Sequence, residues 1–299
     1  MHKGTPVKAH AVTAVVVGLI LCTPAGAQVQ LVADSTGSPS AGTATVSPSS
    51  VNEAFARHDA GDTFGISLGT AYASGKFGAD SRSHLWTTAL GVRYVRGGLR
   101  LNASIPYMRI RSAGTIYSGI DSTPVLVSTT SPGIKQTRDG LADLTLGASY
   151  IVPLKQDGPE LEFSGRVKLP TASNSSGLST GKTDYSGGVQ LTQQIGPVAP
   201  FASVTYRMFG DRRDVRLRDG LAASAGTSFV VSDNVVALAS YHYSRSATRL
   251  VDDAHELFAG ASYLVPGTGL RVNGFATAGL SRGAAATSGG LSLSVDFGS

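Results

Sequence analysis

Residues 140–172, GLADLTLGASYIVPLKQDGPELEFSGRVKLPTA, alternate apolar and polar side chains on both sides of a tight turn. In the first half Leu144, Leu146, Ala148, Tyr150 and Val152 share one face, and Asp143, Thr145, Gly147 and Ser149 the other. In the second half Leu161, Phe163, Val167 and Leu169 oppose Glu160, Glu162, Ser164, Arg166 and Lys168. Successive side chains of a strand point to opposite faces, so this stretch predicts two strands with one apolar and one strongly polar surface. The Asp157-Gly158 step between them is a hairpin signal. A sheet that is apolar outside and polar inside is the wall of a transmembrane barrel, with lipid outside and water within.

The same unit recurs along the chain. Twelve alternating segments fall at roughly 61–75, 84–96, 99–112, 140–154, 159–172, 182–195, 198–210, 219–232, 234–247, 254–266, 269–282 and 287–298. Each exceeds the ~9–11 residues that a tilted strand needs to cross a bilayer. Their connections alternate between short turns (97–98, 157–158, 196–197, 232–234, 266–269) and longer loops (76–83, 113–139, 173–181, 211–218, 248–253, 283–286). The expectation is an all-β, 12-stranded antiparallel outer-membrane barrel with short periplasmic turns, longer external loops and both termini in the periplasm. A soluble β-sandwich does not require strands this long or loops this regular. Hydrophobic content of 41% suits the barrel, because only every second residue meets lipid, and no apolar run after residue 30 is long enough for a spanning helix. Phe64, Tyr94, Tyr150, Phe163, Phe229, Tyr263 and Phe297 are expected at the periplasmic rim, and Tyr72, Trp86, Tyr185 and Tyr243 at the external rim.

Upstream of the barrel the composition changes twice. Lys3 and Lys8, the apolar run 11–21 and Ala25-Gly26-Ala27 read as a signal peptide over residues 1–27, cleaved before Gln28 on export. Cleavage removes Cys22, the one cysteine, and two lysines, so the formal charge falls from +5 to +3. No thiol chemistry is then expected, and a charge so small and scattered gives no reason to expect nucleic acid. Residues 28–60 form a Ser/Thr/Pro-rich periplasmic leader, disordered or partly helical over 51–58; it reads either as a linker or as a plug. The barrel occupies 61–299.

Gly140-Leu141-Ala142-Asp143 with Leu146-Gly147 and Tyr150, then Lys168-Leu169-Pro170-Thr171, Gly177–Gly181 with Asp184, and Asp252–Leu257 resemble the outer-membrane β-barrel transporter family labelled phenol meta-pathway (MetA-pathway) degradation proteins. The likeness covers about residues 60–299. It implies a channel for small solutes, with aromatic or hydrophobic compounds among them. Ala172 stands where the family has Gly, and residues 28–60 do not match the longer coiled coil of the related amyloid-subunit exporters.

Function in such a barrel resides in the lumen. The expected inward set is Arg93, Arg100, Asp143, Glu160, Glu162, Arg166, Lys168, Asp184, Arg207, His242 and Glu256, since charge within a membrane wall must face water or a partner. These side chains are either a selectivity lining or a salt-bridged filling. Loop 113–139 is long enough to constrict the pore or to form an external flap, and Val125-Leu126-Val127 gives it apolar surface to bury. Arg212, Arg213 and Arg216 would meet lipopolysaccharide. The final strand, ending at Phe297, resembles the signal read by the barrel-assembly machinery.

Chemical motifs are weaker. Gly177–Thr183 has three residues between its glycines where a phosphate-binding loop has four. Ser240, His242 and Ser244 share a face, but residues two apart on a strand are ~6–7 Å apart, so a hydrogen-bonding partner is expected from a neighbouring strand. Asp253, His255 and Glu256 match no zinc or calcium spacing. The expectation is passive passage of a small solute, without enzymatic activity, cofactor or metal. The alternatives are a closed structural barrel and a lipid-modifying barrel enzyme.

Overall fold

A computed structural model describes residues 62–120, 123–128, 135–156, 158–210 and 217–298. The expected signal peptide and leader, and the loop with Arg212, Arg213 and Arg216, lie outside the described residues.

The strands are β1 (Thr63–Gly75), β2 (Ser83–Arg96), β3 (Leu99–Ser112), β4 (Thr115–Ser118), β5 (Pro124–Ser128), β6 (Gln136–Leu141), β7 (Leu144–Pro153), β8 (Glu160–Leu169), β9 (Asp184–Thr192), β10 (Val198–Met208), β11 (Gly220–Ser232), β12 (Val235–Ser244), β13 (Ala254–Leu264), β14 (Leu270–Gly279) and β15 (Thr287–Gly298). β4 and β5 form a hairpin of their own. β6 and β7 are two parts of one stave, because both pair with β3. The others each make one stave, so the wall has twelve, all antiparallel. It closes where β1 pairs with β15, in unbroken register from Thr63↔Gly298 to Ser74↔Thr287. Among the described residues β6 pairs with β3 alone; below it the closed ring leaves no edge strand with unpaired peptide groups, which hydrocarbon would not tolerate.

Alternation sets the two faces. Phe64, Ile66, Leu68 and Tyr72 on β1, and Trp86, Leu90 and Val92 on β2, are exposed on the outside, whereas Thr63, Ala71 and Ala73 are buried inside. Aromatic rings gather at both ends of this outer band. Phe64 lies across from Tyr94 and Phe297, and Tyr150 across from Phe163, at the turn end. Tyr72, Trp86 and Tyr185 mark the loop end, and Tyr107, Tyr206 and Tyr241 join them. Such rings sit well where one edge is wet and the other in lipid.

One stave departs from the uniform strand expected over 140–154. Ile105 and Pro106 separate the paired residues Ser104 and Tyr107 of β3, while Ala142, Asp143 and Leu144 separate the paired Leu141 and Thr145. The extra residue is a β-bulge. It faces Pro106, which has no N–H to give to the ladder and is tolerated in a central strand only at such a break. Ala142 still donates to the Pro106 carbonyl at 2.8 Å. Gly140 precedes the bulge with φ 150°, and a β-carbon there would lie 3.3 Å from Ser176. Outward residues are odd-numbered before the bulge (Thr137, Asp139, Leu141) and even-numbered after it (Leu144, Leu146, Ala148).

The lipid-facing assignment makes a direct prediction. Leu68→Arg, on the outside near mid-strand, is expected to destabilise the vesicle-folded barrel by about 2–4 kcal/mol. Ser164→Arg, on the inside, is expected to cost much less. Reversible guanidinium titration in phospholipid vesicles measures both, and equal costs would contradict the assignment.

Candidate functional site

The longest loop folds into the barrel. Thr115–Ser118 pairs with Pro124–Ser128, and the hairpin buries a side on each of two apolar clusters. Ile116 and Leu126 pack among Phe77, Leu85, Met108, Ile110, Leu178 and Ala285, the interior face of β2 and β3 and three other loops. Val125, with Tyr117 beside it, packs against Phe209, Leu217 and Ala247. Of the two readings open for loop 113–139, its described part therefore takes the inward one. Polar contacts fix its ends: the Ser118 N–H donates to Leu178 O at 2.7 Å, Arg138 donates to Gly114 O at 2.9 Å, and Thr248 Oγ1 donates to Leu126 O at 3.3 Å.

Beneath the hairpin Asp143, at the bulge, faces inward to Lys168 in phase with Thr145 and Ser149. The Lys168 ammonium lies 3.0 Å from Asp143 Oδ2 and 2.8 Å from Asp184 Oδ2, and all three side chains are essentially inaccessible to solvent. Lys168 also donates to Ser118 O at 3.3 Å, tying the hairpin to β8. Asp143 accepts from Ser179 Oγ at 2.5 Å and from the Ala172 N–H at 3.1 Å; Asp184 accepts from the Gly210 N–H at 3.0 Å. One cation and two carboxylates thus hold two loops and the hairpin. Desolvating these ions costs several kcal/mol each, and only their mutual attraction and hydrogen bonds offset it. Across the rim, Asp253 ties down loop 245–253. Partial burial pushes its carboxyl up, but the Ser246 N–H, the Tyr243 hydroxyl and Arg218 outweigh this and hold it below the ordinary carboxylate range.

The other predicted lumen residues are distributed along the interior. Arg93 pairs with Asp296 of β15 at 2.5 Å near the turn end. Arg100 is buried on β3, across from Val95 and Ser149. Glu160, Glu162 and Arg166 follow one another along the inner face of β8. Arg207 donates to Ser244 Oγ and lies over the Phe209 ring. Glu256 faces His242 across β12 and β13. It is buried and accepts from the Ala285 N–H, while its Oε1 finds no hydrogen-bond donor among the described residues.

Three rings on the interior wall were not anticipated. Phe201, Phe258 and Phe275 cluster with Ala71 and Leu238, and the Phe258 and Phe275 rings stack at 5.9 Å. Glycines make room for them: Phe201 faces Gly226, and Phe275 faces both Gly260 and Gly290. A β-carbon on Gly226 or Gly290 would come within 2.8 Å of the facing ring. Only the register could reveal these pairs; along the chain each Phe merely interrupts a polar face. Around the rings the wall is rich in hydroxyls, including Ser203 bonded to Ser224 and Thr277 to Ser288, both at 2.6 Å.

The Ser240 and His242 side chains require a correction. Ser240 Oγ lies 2.8 Å from His242 Nε2 on the same strand, because the imidazole leans back along β12 and closes the distance that backbone spacing alone would leave. Glu256, across from that imidazole, makes no hydrogen bond to it among the described residues, so the third member of a nucleophilic constellation is not in place. His255 points outward to Tyr241 while Glu256 points inward, so they and Asp253 do not converge on one ion. Residues 177–183 lead directly into β9, without the helix that a phosphate-binding loop needs.

The architecture matches that of an outer-membrane channel from Pseudomonas putida F1, with a TM-score of 0.59 at 12% identity, over 80% of this chain and 96% of that one. A NanC porin aligns with a TM-score of 0.48 at 12% identity, over 78% and 98% of the respective chains. The toluene transporter of Pseudomonas putida aligns at 0.39 and 11%, over 86% and 95%. No protein-family model and no curated protein matches the chain. At these identities it is the outer-membrane barrel fold that is shared.

Replacing Lys168 alone would leave two buried carboxylates facing each other. Lys168→Met is expected to cost about 3–5 kcal/mol and to open the hairpin to protease. The triple variant Lys168→Met, Asp143→Asn, Asp184→Asn should recover most of that stability. Unfolding titrations and limited proteolysis of both variants provide the measurement.

Proposed function

We propose that this protein is an outer-membrane channel through which small solutes pass by diffusion, with the β4–β5 hairpin as its constriction. The observation that carries the reading is the inward hairpin, held by the Lys168 cluster over an interior lined with hydroxyls and charges. A merely structural plug would need apolar packing alone, whereas this interior keeps polar groups along the whole height of the wall. The charged set from Arg93 to Glu256 would then shape the field felt by the solute. The Phe201–Phe258–Phe275 cluster, within a polar wall, favours solutes that combine an aromatic or hydrophobic part with a polar group. Lipids surround the wall, and export and assembly follow from the signal peptide and the C-terminal strand. We assign no catalytic role to Ser240 and His242.

A closed, filled barrel is the second reading, because the hairpin and its two apolar clusters occupy the loop end of the interior. Planar-bilayer recordings of the refolded mature protein distinguish them. Full-length protein is expected to give a small steady conductance, and replacing residues 115–128 with a short Gly/Ser linker should raise it several-fold. Removing residues 28–60 tests the leader as a plug in the same assay. Silence in every form would overturn the channel reading.

A further inference from the structure

The outer wall continues past the aromatic band on one side of the barrel. On β3 the outward residues toward the loop end are Tyr107, Arg109 and Arg111, all exposed. Tyr107 lies between Thr88 and Leu141, Arg109 between Trp86 and Asp139, and Arg111 between His84 and Thr137. Arg109 therefore stands level with Tyr72 and Trp86 at the outer margin of the aromatic ring, and Arg111 one row beyond it. They are ~6.6–6.8 Å apart along the strand, close enough for both guanidinium groups to grip one phosphate or two neighbouring ones.

Their surroundings leave the charge available. Among the described residues neither arginine enters an ion pair. Asp139, the carboxylate across from Arg109, accepts the Tyr107 hydroxyl at 2.6 Å. His84 is engaged sideways by the Tyr72 hydroxyl at 2.6 Å. Arg82 and Lys135, at the adjoining ends of β2 and β6, are exposed and add positive charge. Across the same rim an arginine is paired instead, Arg218 with Asp253 at 3.8 Å.

We propose that Arg109 and Arg111 form a binding site for the phosphorylated headgroup of an outer-leaflet glycolipid. The inference rests on the outer-membrane reading above but not on conduction. The aromatic band marks the membrane–water boundary, so its outer margin and the row above it, where Arg109 and Arg111 stand, are at the level of headgroup phosphates. Guanidinium groups match phosphate oxygens in pairs, and the outward direction of both side chains excludes a solute in the lumen as the occupant.

The test uses the complete refolded mature protein in detergent and native mass spectrometry, with bis-phosphorylated lipid A as probe. The wild type is expected to retain the lipid, and Arg109→Gln with Arg111→Gln should weaken retention by about tenfold or more, the equivalent of one or more charged hydrogen bonds. Lys155→Gln with Arg249→Gln, an equal change of charge at exposed positions away from β3, should leave it unaltered. Dephosphorylated lipid A should bind the wild type about tenfold or more weakly than bis-phosphorylated lipid A does, a comparison that holds even if the double variant fails to fold. Equal retention of both lipids, or an unchanged affinity in a folded double variant, overturns the proposal. Pyrophosphate competing as strongly as lipid A, mole for mole, would also overturn it, by making free phosphate the occupant. A bilayer recording separates the two readings: lipid retention without conductance leaves this site standing and removes the channel.

Discussion

A peptide group in hydrocarbon has no water to bond with, and this one restriction governs the structure. It is met by closing the ring: β1 binds β15 over its whole length, and every stave has two neighbours. Closure then dictates the chemistry of the side chains. With a period of two and only two faces, lipid claims one residue and the interior claims the next. Low charge, many glycines and moderate hydrophobicity are consequences of that division, as each stave must satisfy two solvents at once.

The interior needs a different balance. Twelve staves enclose more space than wall side chains alone fill at the loop end, and the hairpin occupies part of it. Ile116 and Leu126 bury themselves against one side and Val125 against the other, so the hairpin gains apolar contact from both. Its backbone still requires partners, and Lys168, Arg138 and Thr248 supply them. The charged cluster therefore serves as a fastening, and its energy comes from geometry that holds only while the loops stay in place.

Strand positions were legible in the sequence because alternation repeats twelve times and turn residues punctuate it. Leu144 to Val152 and Leu161 to Leu169 face as their pattern implies, and the interior position of Lys168, Asp184 and Arg207 follows from the same count. What the chain could not disclose depends on register or on side-chain reach. Asp143 faces inward on the same count as Thr145 and Ser149, but the reversal of phase in Gln136–Leu141 was not legible, because its cue, Pro106, lies on another strand. Phe275 needs Gly260 and Gly290 beside it, more than ten residues away in either case. Ser240 meets His242 within one strand because an imidazole bends, which backbone spacing does not describe.

The bulge at Ala142–Leu144 divides its stave into two lengths of opposite phase. Below it the stave answers to the bilayer. Above it the strand is free to choose which parity faces outward, and Gln136–Leu141 uses that freedom to point Arg138 toward the hairpin while Asp139 faces the surroundings. Sequence drift in the upper length, including the gain or loss of a residue in the loop before it, is therefore insulated from the membrane-embedded length. The outer third of the stave behaves as an interchangeable extension, able to be remodelled for a new ligand or neighbour while the seal through the bilayer stays in register.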